Sequence, residues 1–223
     1  MHKLPVLAAL AALLGTPAAL AQQDWKAPRV VTWVCSGCHG IDGNAQLPDV
    51  PRLAGRNAGY LLRQMTAFAA APAPSSIEIS AGIAAPAPLP ANARGGALAR
   101  RYMIGPAHAA TEAEAKAAVD LYAARKPAPA ARAADTALLE RGRALYTQGK
   151  PAAGVVACQD CHGAAGRGIA DFPALAGQNA AYLERQLQGF VDGHRPLGVT
   201  MHGIAHGLTP EDRRALALYA QSL

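Results

Sequence analysis

Apolar residues recur at helical spacing along much of the chain. Ala115, Ala118, Val119 and Tyr122 follow i, i+3, i+4 order, and so do Ala215, Leu218 and Tyr219 near the end. Tyr182, Gln186, Leu187 and Phe190 fall on one helical face. Leu138, Leu139 and Leu145 belong to a further helix that starts near Asp135, a residue suited to cap it. Start signals frame the pattern. Thr111-Glu112-Ala113-Glu114 is a capping box, and Thr209-Pro210-Glu211-Asp212 is a variant with proline at the first helical position. Asn57 and Asn179 are expected to cap two middle helices. The periodicity predicts an all-α chain.

The pattern occurs twice. Pro51-Arg52-Leu53-Ala54-Gly55-Arg56-Asn57-Ala58-Gly59-Tyr60-Leu61 reappears as Pro173-Ala174-Leu175-Ala176-Gly177-Gln178-Asn179-Ala180-Ala181-Tyr182-Leu183. Each copy continues to a glutamine and a phenylalanine, Gln64 and Phe68 in one, Gln186 and Phe190 in the other. Met103 precedes Thr111 by eight residues, and Met201 precedes Thr209 by eight. Each half therefore reads as an N-terminal helix, a loop, a middle helix, a methionine loop and a C-terminal helix.

The expected boundaries are 22–125 for the first domain, 126–134 for a Pro/Ala linker and 135–223 for the second domain. The halves differ between the middle helix and the methionine. Phe68 to Met103 is 24 residues longer than Phe190 to Met201. The extra stretch, 69–102, is Ala/Pro-rich and carries Ile77-Glu78-Ile79, Arg94, Arg100 and Arg101. It reads as a surface loop, with a partner-docking or haem-covering element as the alternative. Trp25 and Trp33, in the short lead-in of the first half, are expected to pack in the core.

The chemistry lies in a pentapeptide repeated with the rest: Cys35-Ser36-Gly37-Cys38-His39 and Cys158-Gln159-Asp160-Cys161-His162. Together they use all four cysteines. Cys-x-x-Cys-His is a c-type haem attachment pattern, in which two thiols reach the two vinyl groups on one porphyrin edge and the histidine binds iron. A Cys-x-x-Cys pair also serves zinc sites and thioredoxin-type redox pairs. A cysteine zinc ribbon spaces its pairs by about 15–20 residues, whereas these lie more than a hundred apart. Neither of those readings accounts for histidine after both second cysteines, and a disulfide over a two-residue spacer would close a tight, strained loop. The expected cofactors are two covalently bound haems c, attached at Cys35, Cys38, Cys158 and Cys161.

An electron carrier needs a second axial ligand on each iron. His39 and His162 are the proximal candidates. Met103 and Met201, at equivalent positions in the repeat, are the distal ones, and a thioether raises the potential relative to bis-histidine ligation. Met65 aligns with Leu187 and reads as core. His108, His202 and His206 compete, and are read as surface groups or as hydrogen-bond donors near the ligands. Pro51 and Pro173 follow the proximal histidines by 12 and 11 residues, so a backbone carbonyl there could fix each ring through Nδ1.

Export agrees with this chemistry. Lys3, the apolar run Leu4 to Leu14 and Ala19-Leu20-Ala21 form a signal peptide expected to be removed after residue 21, with a retained membrane anchor as the alternative. Aromatic residues make up only 5% of the chain, and a haem at the centre of each domain offsets that scarcity. Formal charge is +6, but four haem propionates bring the loaded protein closer to neutral, which argues against nucleic-acid binding. Residues 22–125 are net +3 and residues 135–223 net zero, a dipole that could orient partners.

Both Cys-x-x-Cys-His-Gly segments, both Leu-Ala-Gly…Tyr-Leu…Gln…Phe segments, Gly142-Arg143-Ala144-Leu145-Tyr146 and Met201-His202-Gly203-Ile204-Ala205 together resemble the dihaem cytochrome c4 family. The resemblance covers nearly all of the chain after residue 21. It implies two tandem class I cytochrome c domains, each a few helices around one covalent haem c. It also implies His/Met ligation, domains that face each other with propionates near the interface, and a periplasmic carrier. The insertion before Met103 departs from the family pattern.

The leading expectation is therefore electron transfer without substrate turnover. Electrons would pass from a quinol:cytochrome c oxidoreductase or a dehydrogenase to a terminal oxidase, with peripheral membrane association open. The alternatives are the electron-accepting subunit of a periplasmic dehydrogenase complex and a dihaem peroxidase-type enzyme, which would need one open iron.

Overall fold

The computed structural model of the protein describes residues 27–72, 96–129, 135–195 and 198–223. The expected signal segment, Trp25, residues 73–95 of the expected insertion and residues 130–134 of the expected linker lie outside the described residues. Among the described residues the elements are helical, apart from one antiparallel bridge between Lys150 and Val155. None of these helices is long and apolar enough to cross a membrane.

The first half begins with a π-helical turn, Val31–Cys35, that runs into α1, Ser36–His39. Then come α2 (Ala58–Ala69), α3 (Gly96–Ala109) and α4 (Glu112–Ala124). The second half contains α5 (Thr136–Gln148), α6 (Gln159–His162), α7 (Ala180–Val191), α8 (Val199–His206) and α9 (Pro210–Ser222). Both capping boxes form, each with the threonine side chain and the third-position carboxylate exchanging hydrogen bonds with backbone amides. Asp135 caps α5 by accepting from the Leu138 amide at 3.0 Å.

Several expectations are corrected. The two methionines sit on helices rather than in loops, Met103 on α3 and Met201 on α8. The last part of the expected insertion is helical, because α3 already begins at Gly96. Its Ala- and Arg-containing start, Gly-Ala-Leu-Ala-Arg-Arg, favours helix once the prolines are past. Trp33 does not pack in the core: it is 78% exposed, while Val31 of the same turn is fully buried. At α9 the buried face is wider than the predicted stripe and includes Leu216, Ala217 and Ala220, because α9 packs against both α5 and α7.

Each half has its own core. Val30, Val31, Ala118 and Tyr122 form that of the first half, and Leu145, Tyr146, Val155, Leu208 and Leu216 that of the second. Burying such side chains contributes roughly 1.5–3 kcal/mol for each large one.

Candidate haem sites and the domain interface

Each pentapeptide ends in a short helix closed by glycine. Gly40 and Gly163 have φ of 76° and 79°, a left-handed conformation that disfavours any side chain. The chain then folds back identically in both halves. The amides of Leu53 and Ala54 donate to the Gly43 carbonyl, and those of Leu175 and Ala176 to the Gly166 carbonyl. Gly55 donates to the Tyr122 carbonyl, and Gly177 to that of Ala220. These bonds anchor the loop that begins at Pro51 or Pro173.

The consequence is a fixed imidazole in each half. His39 Nδ1 donates to the Pro51 carbonyl at 2.9 Å, and His162 Nδ1 to the Pro173 carbonyl at 2.9 Å. The tautomer follows, since a carbonyl only accepts, and it leaves each Nε2 lone pair available to a metal. Both rings are buried, at 5% and 7% exposure. Burial lowers both histidine pKa values against the opposing effect of the carbonyl bond, so the rings are held neutral. Beside them, none of Cys35, Cys38, Cys158 and Cys161 is engaged in a disulfide. Burial pushes the Cys158 thiol up to about 11 and raises that of Cys35. Phe172 stands edge-on to His162, with ring centroids 6.1 Å apart.

Met103 and Met201 are both half-buried, Met103 on a helix packed against α2 and Met201 on one packed against α7. The competing histidines have other partners. His108 Nε2 donates to the Ala71 carbonyl at 2.8 Å, His202 Nε2 to that of Arg195 at 2.7 Å, and His206 Nδ1 to that of His202 at 2.7 Å.

The residues not anticipated as functional lie between the halves. Asn179 occupies the N-cap position of α7 but does not cap it. Its side-chain amide instead donates to the Val50 carbonyl at 2.7 Å and the Leu47 carbonyl at 3.1 Å, across the interface. The Gln221 side chain takes the first amide of α7 in its place. Asn57, 122 residues earlier, does cap α2 and also donates to the Ala170 carbonyl at 2.8 Å. The ion pairs repeat the relation: Arg63 binds Asp171, and Arg185 binds Asp49. These pairs relate the halves as an isologous interface relates two subunits, with equivalent positions on both sides.

Guanidinium groups are concentrated here. Arg56, only 7% exposed, donates to the Ala174 and Ala176 carbonyls, while Arg52 donates to that of Gly177. Burial, and Arg52 nearby, lower the Arg56 pKa to about 10. Arg52 Nε, Arg56 Nη2 and Arg185 Nη2 are buried without a hydrogen-bond partner. A buried donor left unpaired costs about 1–3 kcal/mol. These groups fit an anionic group such as the carboxylates of a haem.

Two all-helical units, each with paired thiols beside an oriented imidazole, define a dihaem c-type cytochrome made of two class I domains. Residues 139–223 match the Cytochrome c family model. The chain is 34% identical to cytochrome c4 of Stutzerimonas stutzeri, over 98% of both chains. It is 33% identical to a thiosulfate dehydrogenase electron acceptor of Thiomonas intermedia, over 100% of this chain and 93% of that one. The crystal structure of reduced recombinant cytochrome c4 from Pseudomonas stutzeri superposes with a TM-score of 0.70 at 31% identity, over 88% of this chain and 98% of that one. The chain belongs to the cytochrome c4 family. It is an electron-transfer cytochrome carrying two covalently bound haems c, and the spacing of its four cysteines fits the two sites. Each bound haem supplies an iron that cycles between ferrous and ferric states; the protein holds, orients and shields it.

Proposed function

We propose that the chain is a periplasmic electron shuttle whose haems are ligated by His39 and Met103 in the first domain (22–125) and by His162 and Met201 in the second (135–223). Thioether bonds run from Cys35 and Cys38 to one haem and from Cys158 and Cys161 to the other. The observation that carries the reading is the duplicated bond from histidine Nδ1 to a proline carbonyl, which leaves one free ring nitrogen per site. Met103 and Met201 hold equivalent places in the repeat and are both half-buried on helices packed against the middle helices, which supports methionine as the distal ligand. With both irons six-coordinate, neither has an open position for substrate, so the protein carries electrons rather than catalysing a reaction of its own.

The donor is a quinol:cytochrome c oxidoreductase or a periplasmic dehydrogenase, and the acceptor is a terminal oxidase. Similarity to a thiosulfate dehydrogenase electron acceptor supports the dehydrogenase as donor. Mixing the reduced protein with oxidase-containing membranes and oxygen tests the reading. Rapid reoxidation is expected. Rapid reduction by a purified thiosulfate dehydrogenase, with no reoxidation by the membranes, would instead assign the protein to the dehydrogenase complex.

A further inference from the structure

Many interface positions repeat 122 residues apart, but the segments that follow Pro51 and Pro173 differ in charge. Arg52 and Arg56 of the first half correspond to Ala174 and Gln178 of the second. The contacts are therefore equivalent in place but not in charge.

In one direction the contacts are cationic. Arg56 Nη1 reaches the Ala174 carbonyl at 3.2 Å and the Ala176 carbonyl at 2.8 Å, and Arg52 Nη1 reaches that of Gly177 at 3.0 Å. All three carbonyls belong to the segment that starts at Pro173, whose own carbonyl holds His162. In the other direction the contacts to the Pro51 segment are neutral, the second-half cations Arg185 and Arg195 being engaged with Asp49, Tyr60 and Gln64. Gln178 Nε2 donates to the Arg52 carbonyl at 3.0 Å and Asn179 Nδ2 to the Val50 carbonyl at 2.7 Å, on either side of the Pro51 that holds His39. The interior position makes the charge effective, since Arg56 is buried and screened little by solvent. A ferric haem carries one more positive charge than a ferrous one, so a fixed cation nearby penalises the ferric form.

We propose that Arg56, assisted by Arg52, is a redox-positioning residue contributed by the first domain to the second: its charge raises the potential of the second haem relative to the first. The proposal rests on the reading of His162 as an iron ligand. The equilibrium concerned is one-electron exchange within the chain, in which one iron goes from ferrous to ferric as the other goes from ferric to ferrous. No proton or further reactant is required.

The test is a redox titration of the haem-loaded protein with the two haem-methyl NMR sets assigned to their domains. Arg56→Gln copies Gln178 and makes the interface symmetric at this position. The exchange constant is expected to shift toward the first haem by on the order of tenfold, equivalent to 59 mV for one electron. Arg56→Lys keeps the charge and should keep most of the difference, and Arg52→Ala, which copies Ala174, should move it in the same direction as Arg56→Gln. An unchanged separation in Arg56→Gln overturns the proposal. So does an equal shift of both haems, or Arg56→Lys behaving like Arg56→Gln. If Arg56→Gln fails to fold, Arg52→Ala decides, and no shift there overturns the proposal. The ferric spectrum of the unmodified protein tests the ligation separately: an intact methionine–iron band with unmoved potentials rejects only the arginine assignment.

Discussion

The two halves perform one task with different helices. In the first half, Tyr122 of the C-terminal helix α4 donates its hydroxyl to the Gly40 carbonyl at 3.1 Å. In the second, the equivalent carbonyl, on Gly163, is taken at 2.7 Å by Tyr146 of the N-terminal helix α5. The last helices differ as well. Asp212 of α9 is 2% exposed and holds Arg141 at 2.6 Å and Lys150 at 2.9 Å, tying three elements together. Glu114, its counterpart in α4, serves the capping box at the surface. The haem-motif geometry is thus conserved between the halves, while the scaffold that supports it is not. A site needs its carbonyl satisfied and its histidine fixed; it does not dictate which helix does so.

The largest effect expected from breaking this comparison is at Asp212. Asp212→Asn removes the charge from between two cations and should destabilise the second domain by about 2 kcal/mol. Glu114→Gln should change the first domain little, and thermal unfolding followed at each haem distinguishes the two. Acid provides the same contrast without mutation. The Lys150 and Arg141 side chains and the Thr209 amide hold the Asp212 carboxyl well below the usual carboxylate range, against the opposing effect of burial. A carboxyl depressed in the folded state stabilises it above the ordinary carboxylate pKa, and that contribution fades as pH falls below it. The unfolding temperature of the second domain should therefore drop with acidification in the unmodified protein and vary less in Asp212→Asn. An unchanged acid response in the variant would remove Asp212 from the account.

A smaller effect is expected at the tyrosines. Tyr146→Phe and Tyr122→Phe each lose one hydrogen bond to a glycine carbonyl, at about 1 kcal/mol. The shorter bond predicts the larger loss in the second domain. Urea unfolding of each variant measures it, and a larger loss for Tyr122→Phe would reverse the comparison.

Much of this architecture is legible in the amino-acid sequence where the interaction is local or repeated. The capping boxes span three residues, and the Cys-x-x-Cys-His motif spans five. The bond from histidine to the proline carbonyl is expected from the near-equal spacings of 12 and 11 residues and is found in both halves. Features decided by distant contacts were not legible. Asn179 has a capping residue's identity and position, but three carbonyls of the first half compete for its amide. Trp33 reads as core by composition, yet its place in the π-helical turn turns it outward. The methionine segments lack a clean apolar period, so their helices were not predicted. The contrast between Arg56 and Gln178 is visible in the aligned repeat, but only the fold shows that both point at the opposite half.

The most direct test of the central claim, two complete His/Met haem sites in one chain, is the near-infrared thioether-to-ferric charge-transfer band of the fully oxidised protein. It should integrate to two haems per chain and fall to one in Met103→Ala and to one in Met201→Ala. A band equivalent to a single haem in the unmodified protein, or one that Met103→Ala leaves unchanged, would contradict the claim.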